Sequence, residues 1–340
     1  MRARRAGLVE RGVRLGQRLR GVAAYPDPWR AFGPGGLEEA EALCAEAGRD
    51  LRTWIRPPAD LVPGPVERHP AGGRGLRLRI TVLRFPSPRP SRDPDNDTVT
   101  LRILRPTRRP GHDRVVLFHH PLFQRRWDLW DWFLADLATR TPVALLANPW
   151  HMERTPEGHF PGEGMVNANP ARLYEGIRQW AWDRRAAEAA LAGEGFRPAA
   201  TVGFSLGAFQ VLLAASAGEI EHPLVSIAST NNYAHGLRHG ILGSGILDAM
   251  VRVGIDRARL VRMAAGLVLD RHVAPLRGRP VLYIAGAWDR VDPPPSGDRL
   301  REALVPSHVV LLPAGHASVL AWRPRVTRAV VRFLEETGVL

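Results

Sequence analysis

Short apolar runs alternate with segments of helical spacing from residue 114 to the end of the chain. The apolar runs, which have the length of buried strands, lie at 115–119, 143–147, 199–204, 224–228, 281–285 and 309–312. Helical spacing occurs between or after them, at 127–139, 171–192, 206–217, 298–304 and 319–336. This alternation is typical of a parallel sheet that is covered by helices on both faces. The sequence therefore predicts an α/β fold for this part of the chain.

The residues before this region predict different elements. Two extended segments, 76–85 and 98–104, flank a stretch rich in Pro, Ser and Asp, and this pattern predicts an antiparallel hairpin at one edge of the sheet. Residues 57–75 are rich in Pro and Gly and predict a linker, and residues 37–47 predict a helix. We therefore expect an N-terminal helical extension and linker over 1–75, followed by one large domain over 76–340.

Residues 1–24 have the pattern of a basic amphipathic helix. Its apolar face carries Leu8, Leu15, Leu19 and Val22, with arginines around the rest. Three interpretations remain open: packing of this helix on its own domain, a weak contact with a membrane surface, and contact with a partner. The sequence predicts neither a particular partner protein for it nor an oligomeric state.

Charge and cysteine content exclude several classes of protein. The formal net charge is +13, and all 47 basic residues are arginines. They are scattered without interleaved aromatics or a known motif, so we expect no nucleic-acid partner. The single cysteine, Cys44, allows no intrachain disulfide and no cysteine-based metal site. Since no apolar run approaches the ~20 residues that span a bilayer and no secretory h-region is seen, we expect a cytoplasmic protein.

One motif carries most of the chemical information. The stretch Gly203-Phe204-Ser205-Leu206-Gly207 has the form G-x-S-x-G and lies between a predicted strand and a predicted helix. A serine in this position sits on a sharp, strained turn, and its hydroxyl is exposed at the start of the helix. The flanking glycines allow strand and helix to approach closely. The motif therefore predicts a nucleophilic serine.

The partners that such a serine needs are also at the ends of predicted strands. A serine nucleophile requires a base, and the base requires a carboxylate that orients it. Asp289 follows the strand at 281–285, and His316 follows the strand at 309–312. Ligands of open α/β sheets bind at these strand ends. Taken singly, Ser205 could be a helix cap, Asp289 a turn residue and His316 a buried histidine, but the joint arrangement favours a catalytic site.

With these motifs in this order, the chain resembles the α/β-hydrolases over about residues 76–340. The resemblance implies a mostly parallel central sheet with helices on both faces and a small helical lid, here at 231–271. It implies that Ser205 is the nucleophile, His316 the general base and Asp289 the orienting acid, with Asp292 as the alternative acid. The lid segment carries an apolar stripe that fits either a lid or ordinary core packing: Ile241, Leu242, Ile246, Leu247, Met250, Val251 and Val253.

The oxyanion hole departs from the family pattern. The resemblance implies that the N–H of Leu206 is one donor and that the second comes from the loop after the strand at 115–119. The family usually has His-Gly there, but this chain reads His119-His120-Pro121-Leu122-Phe123. The usual donor position aligns with Pro121, which has no N–H. We expect Leu122 to donate instead; Phe123, the side chain of His120 and an incomplete hole are the alternatives.

The segment after the strand at 143–147 resembles an Asn-Pro-aromatic…Arg-x-Pro stretch of one α/β-hydrolase subgroup. It comprises Asn148-Pro149-Trp150 and Arg154-Thr155-Pro156. We expect Trp150, Arg154, His119 and His120 to bind substrate. In the alternative, Trp150 lies in the core and Arg154 pairs with a carboxylate. The two histidines would then serve only the structure of their loop. His119 and His120, with His151 and His159, lack metal-ligand spacing, so no metal and no other cofactor is expected.

These features predict a serine hydrolase that cleaves a carboxylic ester or a related acyl bond of a small molecule through an acyl-enzyme. An acyltransferase or a peptidase would use the same triad, and a non-catalytic binding protein could share the fold. A serine rather than an aspartate at this turn argues against epoxide hydrolase and haloalkane dehalogenase chemistry. The sequence leaves the identity of the acyl group open.

Overall fold

A single sheet of nine strands organises the part of the chain that the structure describes. The structure is a computed structural model that describes residues 27–71, 78–91, 93–107, 113–241 and 243–340. The strands are β1 (Glu67–Ala71), β2 (Leu78–Pro86), β3 (Thr98–Pro106), β4 (Arg114–His119), β5 (Val143–Leu146), β6 (Arg197–Phe204), β7 (Leu224–Ile227), β8 (Val281–Gly286) and β9 (His308–Leu312). Their order is β1-β2-β3-β5-β4-β6-β7-β8-β9.

The sheet is antiparallel at one edge and parallel elsewhere. Strands β1, β2, β3 and β5 are joined by antiparallel pairings, and every neighbouring pair from β5 to β9 is parallel. The β2–β3 hairpin pairs Leu78 with Pro106 and Pro86 with Thr98. The predicted α/β class, the parallel sheet and the edge hairpin are therefore confirmed. Because the parallel strands point the same way, the loops that follow β4, β6, β8 and β9 meet at one edge of the sheet.

Helices cover both faces of this sheet. They are α1 (Gly36–Arg49), α2 (Leu51–Trp54), α3 (Asp128–Ala138), α4 (Ala171–Gly193), α5 (Leu206–Ser216), α6 (Tyr233–His239), α7 (Ser244–Arg252), α8 (Arg257–Met263), α9 (Ser296–Leu304) and α10 (Arg323–Glu336). One apolar core includes residues of α1, α4, α5 and α9, and the core on the opposite face includes residues of α3 and α10. In the described part of the chain, no helix is both long enough and apolar enough to cross a bilayer.

Two expectations about local structure need correction. Residues 67–71 are not part of a linker, because they form the edge strand β1. This strand carries Pro70, four of its five residues are exposed, and it joins β2 through backbone pairing, so it shows no apolar alternation. The last helix begins at Arg323 rather than at 319, since Pro324 occupies its first turn and a 3-10 turn precedes it.

The N-terminal part that is described packs on the same core as the sheet. Helix α1 buries Ala40, Cys44 and Ala47 within the larger apolar core. Its Glu41 also forms a salt bridge with Arg259 of α8, with 2.6 Å between Oε1 and Nε. The predicted helix over 1–24 lies outside the described residues.

Candidate active site

Ser205 lies on the turn between β6 and α5, in a strained backbone conformation. Its φ is 54° and its ψ is −113°, a combination that a side-chain-bearing residue rarely adopts. The neighbouring glycines are required by close contacts. A Cβ on Gly203 would lie 2.5 Å from the Cα of Ala208, and a Cβ on Gly207 would lie 2.1 Å from the carbonyl oxygen of His119. The G-x-S-x-G spacing thus lets the turn pack directly against β4.

Ser205, His316 and Asp289 form one chain of hydrogen bonds. The Ser205 Oγ is 2.7 Å from the His316 Nε2, and the His316 Nδ1 is 2.7 Å from the Asp289 Oδ2. An ionised carboxylate only accepts hydrogen bonds, so Nδ1 carries the ring proton and Nε2 is left to accept from the serine hydroxyl. The geometry therefore allows His316 to take a proton from Ser205.

The carboxylate of Asp289 is held by its own loop. Its Oδ1 accepts the backbone N–H of Val291 at 2.8 Å and that of Asp292 at 3.1 Å. The side chain of Asp289 is 12% exposed and that of His316 is 9% exposed. With Oδ1 fixed by two backbone donors, Oδ2 is directed at the imidazole, which fixes the orientation of the ring.

Asp292 has different neighbours from Asp289. It is buried, and its Oδ2 accepts the backbone N–H of Asn231 at 2.5 Å. Burial raises the pKa of Asp292 to about 6 because it disfavours the charged carboxylate. The structure thus brings Asp289, and not Asp292, into hydrogen-bond contact with His316.

A small cavity of about 100 Å³ opens beside Ser205. Most of its lining is apolar. Helix α4 contributes Leu173 and Ile177, helix α5 contributes Phe209, and the segment after β4 contributes Leu122 and Phe123. The predicted lid contributes Tyr233, Gly236, Leu237 and Ile246.

The described part of the lid segment therefore forms one wall of this cavity. Helices α6, α7 and α8 all lie within 231–271. Of the predicted apolar stripe, Ile246 lines the cavity, Met250 is buried, and Val251 is 67% exposed. Leu242 lies outside the described residues.

Comparison with solved structures identifies the architecture. An acetyl xylan esterase from Paenibacillus sp. R4 superposes with a TM-score of 0.61 at 15% identity, over 88% of this chain and 99% of that chain. A peroxisomal alpha-beta-hydrolase from Saccharomyces cerevisiae gives a TM-score of 0.50 at 16% identity, over 76% of this chain and 90% of that chain. This chain has the α/β-hydrolase fold. The resemblance seen in the sequence is confirmed at the level of the fold.

Further comparisons show that the likeness is one of structure and not of sequence. An acylaminoacyl peptidase from Pyrococcus horikoshii matches with a TM-score of 0.56 at 12% identity, over 78% of this chain and 42% of that chain. No protein-family model matches the sequence, and no curated protein matches it. At such identities structural likeness establishes the α/β-hydrolase fold alone, so the chemistry has to be argued from the site.

The loop after β4, residues 120–124, has few backbone donors; we call it the oxyanion loop because the sequence predicts the second oxyanion donor there. Pro121 has no N–H, and the N–H of Phe123 donates to the Nε2 of His151 at 3.1 Å. Within 121–123, only Leu122 has an N–H that no described residue accepts, and Leu122 lines the cavity together with Ser205 and Leu206.

The ring of His120 is occupied on both nitrogens. Its Nδ1 donates to the carbonyl oxygen of Pro121 at 2.8 Å, and its Nε2 accepts the N–H of Asn148 at 3.0 Å. Burial lowers the pKa of His120 to about 4, which keeps the ring neutral. The side chain of His120 is therefore not placed to donate to a substrate oxygen. His119 is also buried, and its Nδ1 accepts the indole N–H of Trp180 at 3.1 Å.

Arg154 lies away from the cavity. It is fully buried, its Nη1 is 2.8 Å from the Oδ2 of Asp183, and its Nε donates to the carbonyl oxygen of Asn96 at 2.8 Å. Asp183 belongs to α4, so the ion pair ties the segment after β5 to that helix. This is the alternative interpretation of Arg154, and we assign it no contact with substrate.

Trp150 lines a different cleft, of about 630 Å³, between the segment around Phe32 and the segment after β5. Its indole N–H donates to the Oδ2 of Asp93 at 2.7 Å, and the guanidinium of Arg172 lies 5.0 Å from the centre of its ring. Neither Trp150 nor His119 nor His120 lines the cavity at Ser205. In the described part of the chain, no group of three or more His, Cys, Asp or Glu side chains is arranged to hold a metal ion.

Sequence reasoning did not identify the contact between His151 and the oxyanion loop. In the sequence, His151 is considered only as a candidate metal ligand. The structure shows that its Nε2 accepts the N–H of Phe123. Its place next to Trp150 in the Asn-Pro-aromatic stretch was the available signal. The wall residues from α4 were missed for a different reason, because a helix that is buried on most sides gives no sign of which residues face a cavity.

Proposed function

We propose that this protein is a serine hydrolase that cleaves carboxylic esters with short acyl groups. The observation that carries the proposal is the hydrogen-bonded chain of Ser205, His316 and Asp289 beside a small apolar cavity. The strained backbone of Ser205 supports a catalytic role over a non-catalytic binding protein on the same fold, because such strain persists where function requires it.

The proposed reaction uses this geometry. The Ser205 Oγ attacks the carbonyl carbon of the ester while His316 Nε2 takes its proton, and Asp289 stabilises the imidazolium. The N–H groups of Leu206 and Leu122 donate to the oxyanion of the tetrahedral intermediate. His316 then gives its proton to the leaving alcohol. A water molecule, activated by the same histidine, attacks the acyl-enzyme and releases the acid.

The size of the cavity limits the length of the acyl group that we propose. An engineered apolar cavity of about 150 Å³ holds one benzene molecule, so a cavity of about 100 Å³ has room for a group of about four carbons. We propose acyl groups of about two to four carbons, which apolar walls accept without a polar partner. The acetyl ester in the name of the Paenibacillus structure suits this size. The same triad would serve acyl transfer or peptide hydrolysis, but a small, mostly apolar cavity favours a simple acyl group over a peptide.

This assignment predicts how the preference for acyl-chain length changes when a side chain of the lid segment that lines the cavity is shortened. Wild-type enzyme should have its highest kcat/KM on p-nitrophenyl acetate, propionate or butyrate. Ile246→Ala enlarges the cavity, so we expect the ratio of kcat/KM for the hexanoate to that for the acetate to rise by about tenfold or more.

Val251→Ala is the matched control, because Val251 lies on the same helix but is 67% exposed. It should change the ratio by less than about twofold. An Ile246→Ala ratio equal to that of the control would show that this cavity does not hold the acyl group.

A further inference from the structure

The loop after β4 is interlocked with the segment after β5. The side-chain amide of Asn148 donates to the carbonyl oxygen of His120 at 2.9 Å, in addition to the bond from its backbone N–H to the His120 ring. The N–H of Met152 donates to the carbonyl oxygen of Gln124 at 3.1 Å. The Asn-Pro-aromatic stretch therefore contacts the oxyanion loop, and it does not line the cavity at Ser205.

His151 is at the centre of this contact, and its protonation state follows from its hydrogen bonds. Its Nδ1 lies 2.7 Å from the carbonyl oxygen of Pro149, which can only accept, so Nδ1 carries the proton. Its Nε2 is then an acceptor, and it takes the N–H of Phe123 at 3.1 Å. Burial lowers the pKa of His151 well below its ordinary value, which keeps the ring neutral.

The ring of His151 is also fixed by packing. It is fully buried, and its centre lies 5.1 Å from that of the His120 ring. Gly162 faces it so closely that a Cβ there would lie 2.7 Å from the His151 Nε2 and 2.9 Å from the Leu122 Cδ1. The acceptor atom therefore has a defined position next to the oxyanion loop.

Phe123 needs such an acceptor because of its backbone conformation. Its φ is 66°, in the left-handed region that costs free energy for a residue with a side chain. The N–H of Phe123 is thereby paired with His151, which does not line the cavity. The adjacent peptide, whose N–H belongs to Leu122, is oriented through the same turn.

We propose that His151 is a positioning residue of the oxyanion hole. By accepting the N–H of Phe123 it fixes the turn that presents the N–H of Leu122 to the substrate oxygen. This inference rests on the proposed function. In the usual family pattern a glycine at this place in the loop supplies the donor. Here that position is Pro121, which has no N–H, so we assign to His151 the role of holding the next peptide N–H, that of Leu122, in place.

Two substitutions separate this role from simple packing. In His151→Gln the amide oxygen reaches the place of Nε2, whereas in His151→Asn the amide reaches only the place of Nδ1 and leaves Phe123 N–H unpaired. We expect His151→Asn to lower kcat on p-nitrophenyl acetate by about 10- to 100-fold with KM changed less than about threefold, because an oxyanion contact is made in the transition state. His151→Gln should keep kcat within about fivefold of wild type.

A transition-state analogue gives the readout that packing alone would not move. The Ki of a short trifluoromethyl ketone should rise in His151→Asn by the factor by which kcat/KM falls. Equal losses in the two variants, or an unchanged Ki, would overturn the proposal. If wild type neither hydrolyses esters nor reacts with a fluorophosphonate, the proposed function itself fails; if wild type is active and His151→Asn keeps full kcat, only the role of His151 fails.

Wild-type protein provides a test that does not depend on the folding of variants. Binding of the trifluoromethyl ketone should shift the amide proton resonance of Leu122 downfield and leave that of Phe123 nearly unchanged. A downfield shift of Phe123 without one of Leu122 would overturn the assignment.

Discussion

Replacing Ser205 by alanine is expected to lower kcat for short p-nitrophenyl esters by about 10⁶-fold. The Ser205 Oγ is the atom 2.7 Å from the His316 Nε2, and without it no acyl-enzyme forms. The oxyanion donors and the cavity remain, so a small residual rate above that of water is expected. Steady-state hydrolysis of p-nitrophenyl acetate measures the effect, with the folded state checked by circular dichroism.

Ser216→Ala is the control for this substitution. Ser216 is a buried serine at the end of α5, the helix that follows Ser205, and its Oγ donates to the carbonyl oxygen of Leu213 rather than to a catalytic group. We expect Ser216→Ala to keep kcat within about twofold of wild type. If Ser205→Ala retained more than a few per cent of wild-type kcat, the nucleophile would have to be another group.

The second large effect is expected at the acid. Asp289→Asn should lower kcat by about 10⁴-fold with the fold retained. The Asp289 Oδ2 fixes the proton of His316 on Nδ1 at 2.7 Å, and an amide there no longer stabilises the imidazolium or selects that tautomer. The change is measured as kcat on p-nitrophenyl acetate at saturating substrate.

Asp292→Asn is the matched control for the acid. Asp292 makes no hydrogen bond to His316, and burial already disfavours its charged form and raises its pKa to about 6, so a neutral amide there should affect catalysis little. The side-chain oxygen of asparagine can still accept the N–H of Asn231. We expect kcat within about fivefold of wild type. A large loss in Asp292→Asn with little loss in Asp289→Asn would reassign the acid to Asp292.

The candidate triad could be predicted from the sequence because each member carries a local signal. Gly203 and Gly207 flank Ser205 since a Cβ at either position would clash with neighbouring backbone. Asp289 and His316 each follow an apolar run with a glycine at its end. In a parallel sheet the ends of such runs lie at one edge, so the order of short patterns along the chain was enough to bring the three together.

The surroundings of the triad could not be predicted in this way. The sequence around Arg154 is compatible with a residue that lines a pocket or with one that forms a buried ion pair. Its role depends on Asp183, which lies farther along the chain on α4. The acceptor for Phe123 N–H is likewise supplied by His151 from another loop. Edge strand β1 has no apolar alternation, so it was not recognised. Each of these features depends on a contact between distant segments.

Labelling with a fluorophosphonate tests the central claim most directly, since this reagent phosphonylates a serine hydroxyl that a neighbouring base activates, with release of fluoride. We predict that wild-type protein gains one adduct, which mass spectrometry locates on Ser205, and that Ser205→Ala gains none. Failure of folded wild-type protein to react, or equal labelling of wild type and Ser205→Ala, would contradict the assignment of Ser205 as the nucleophile.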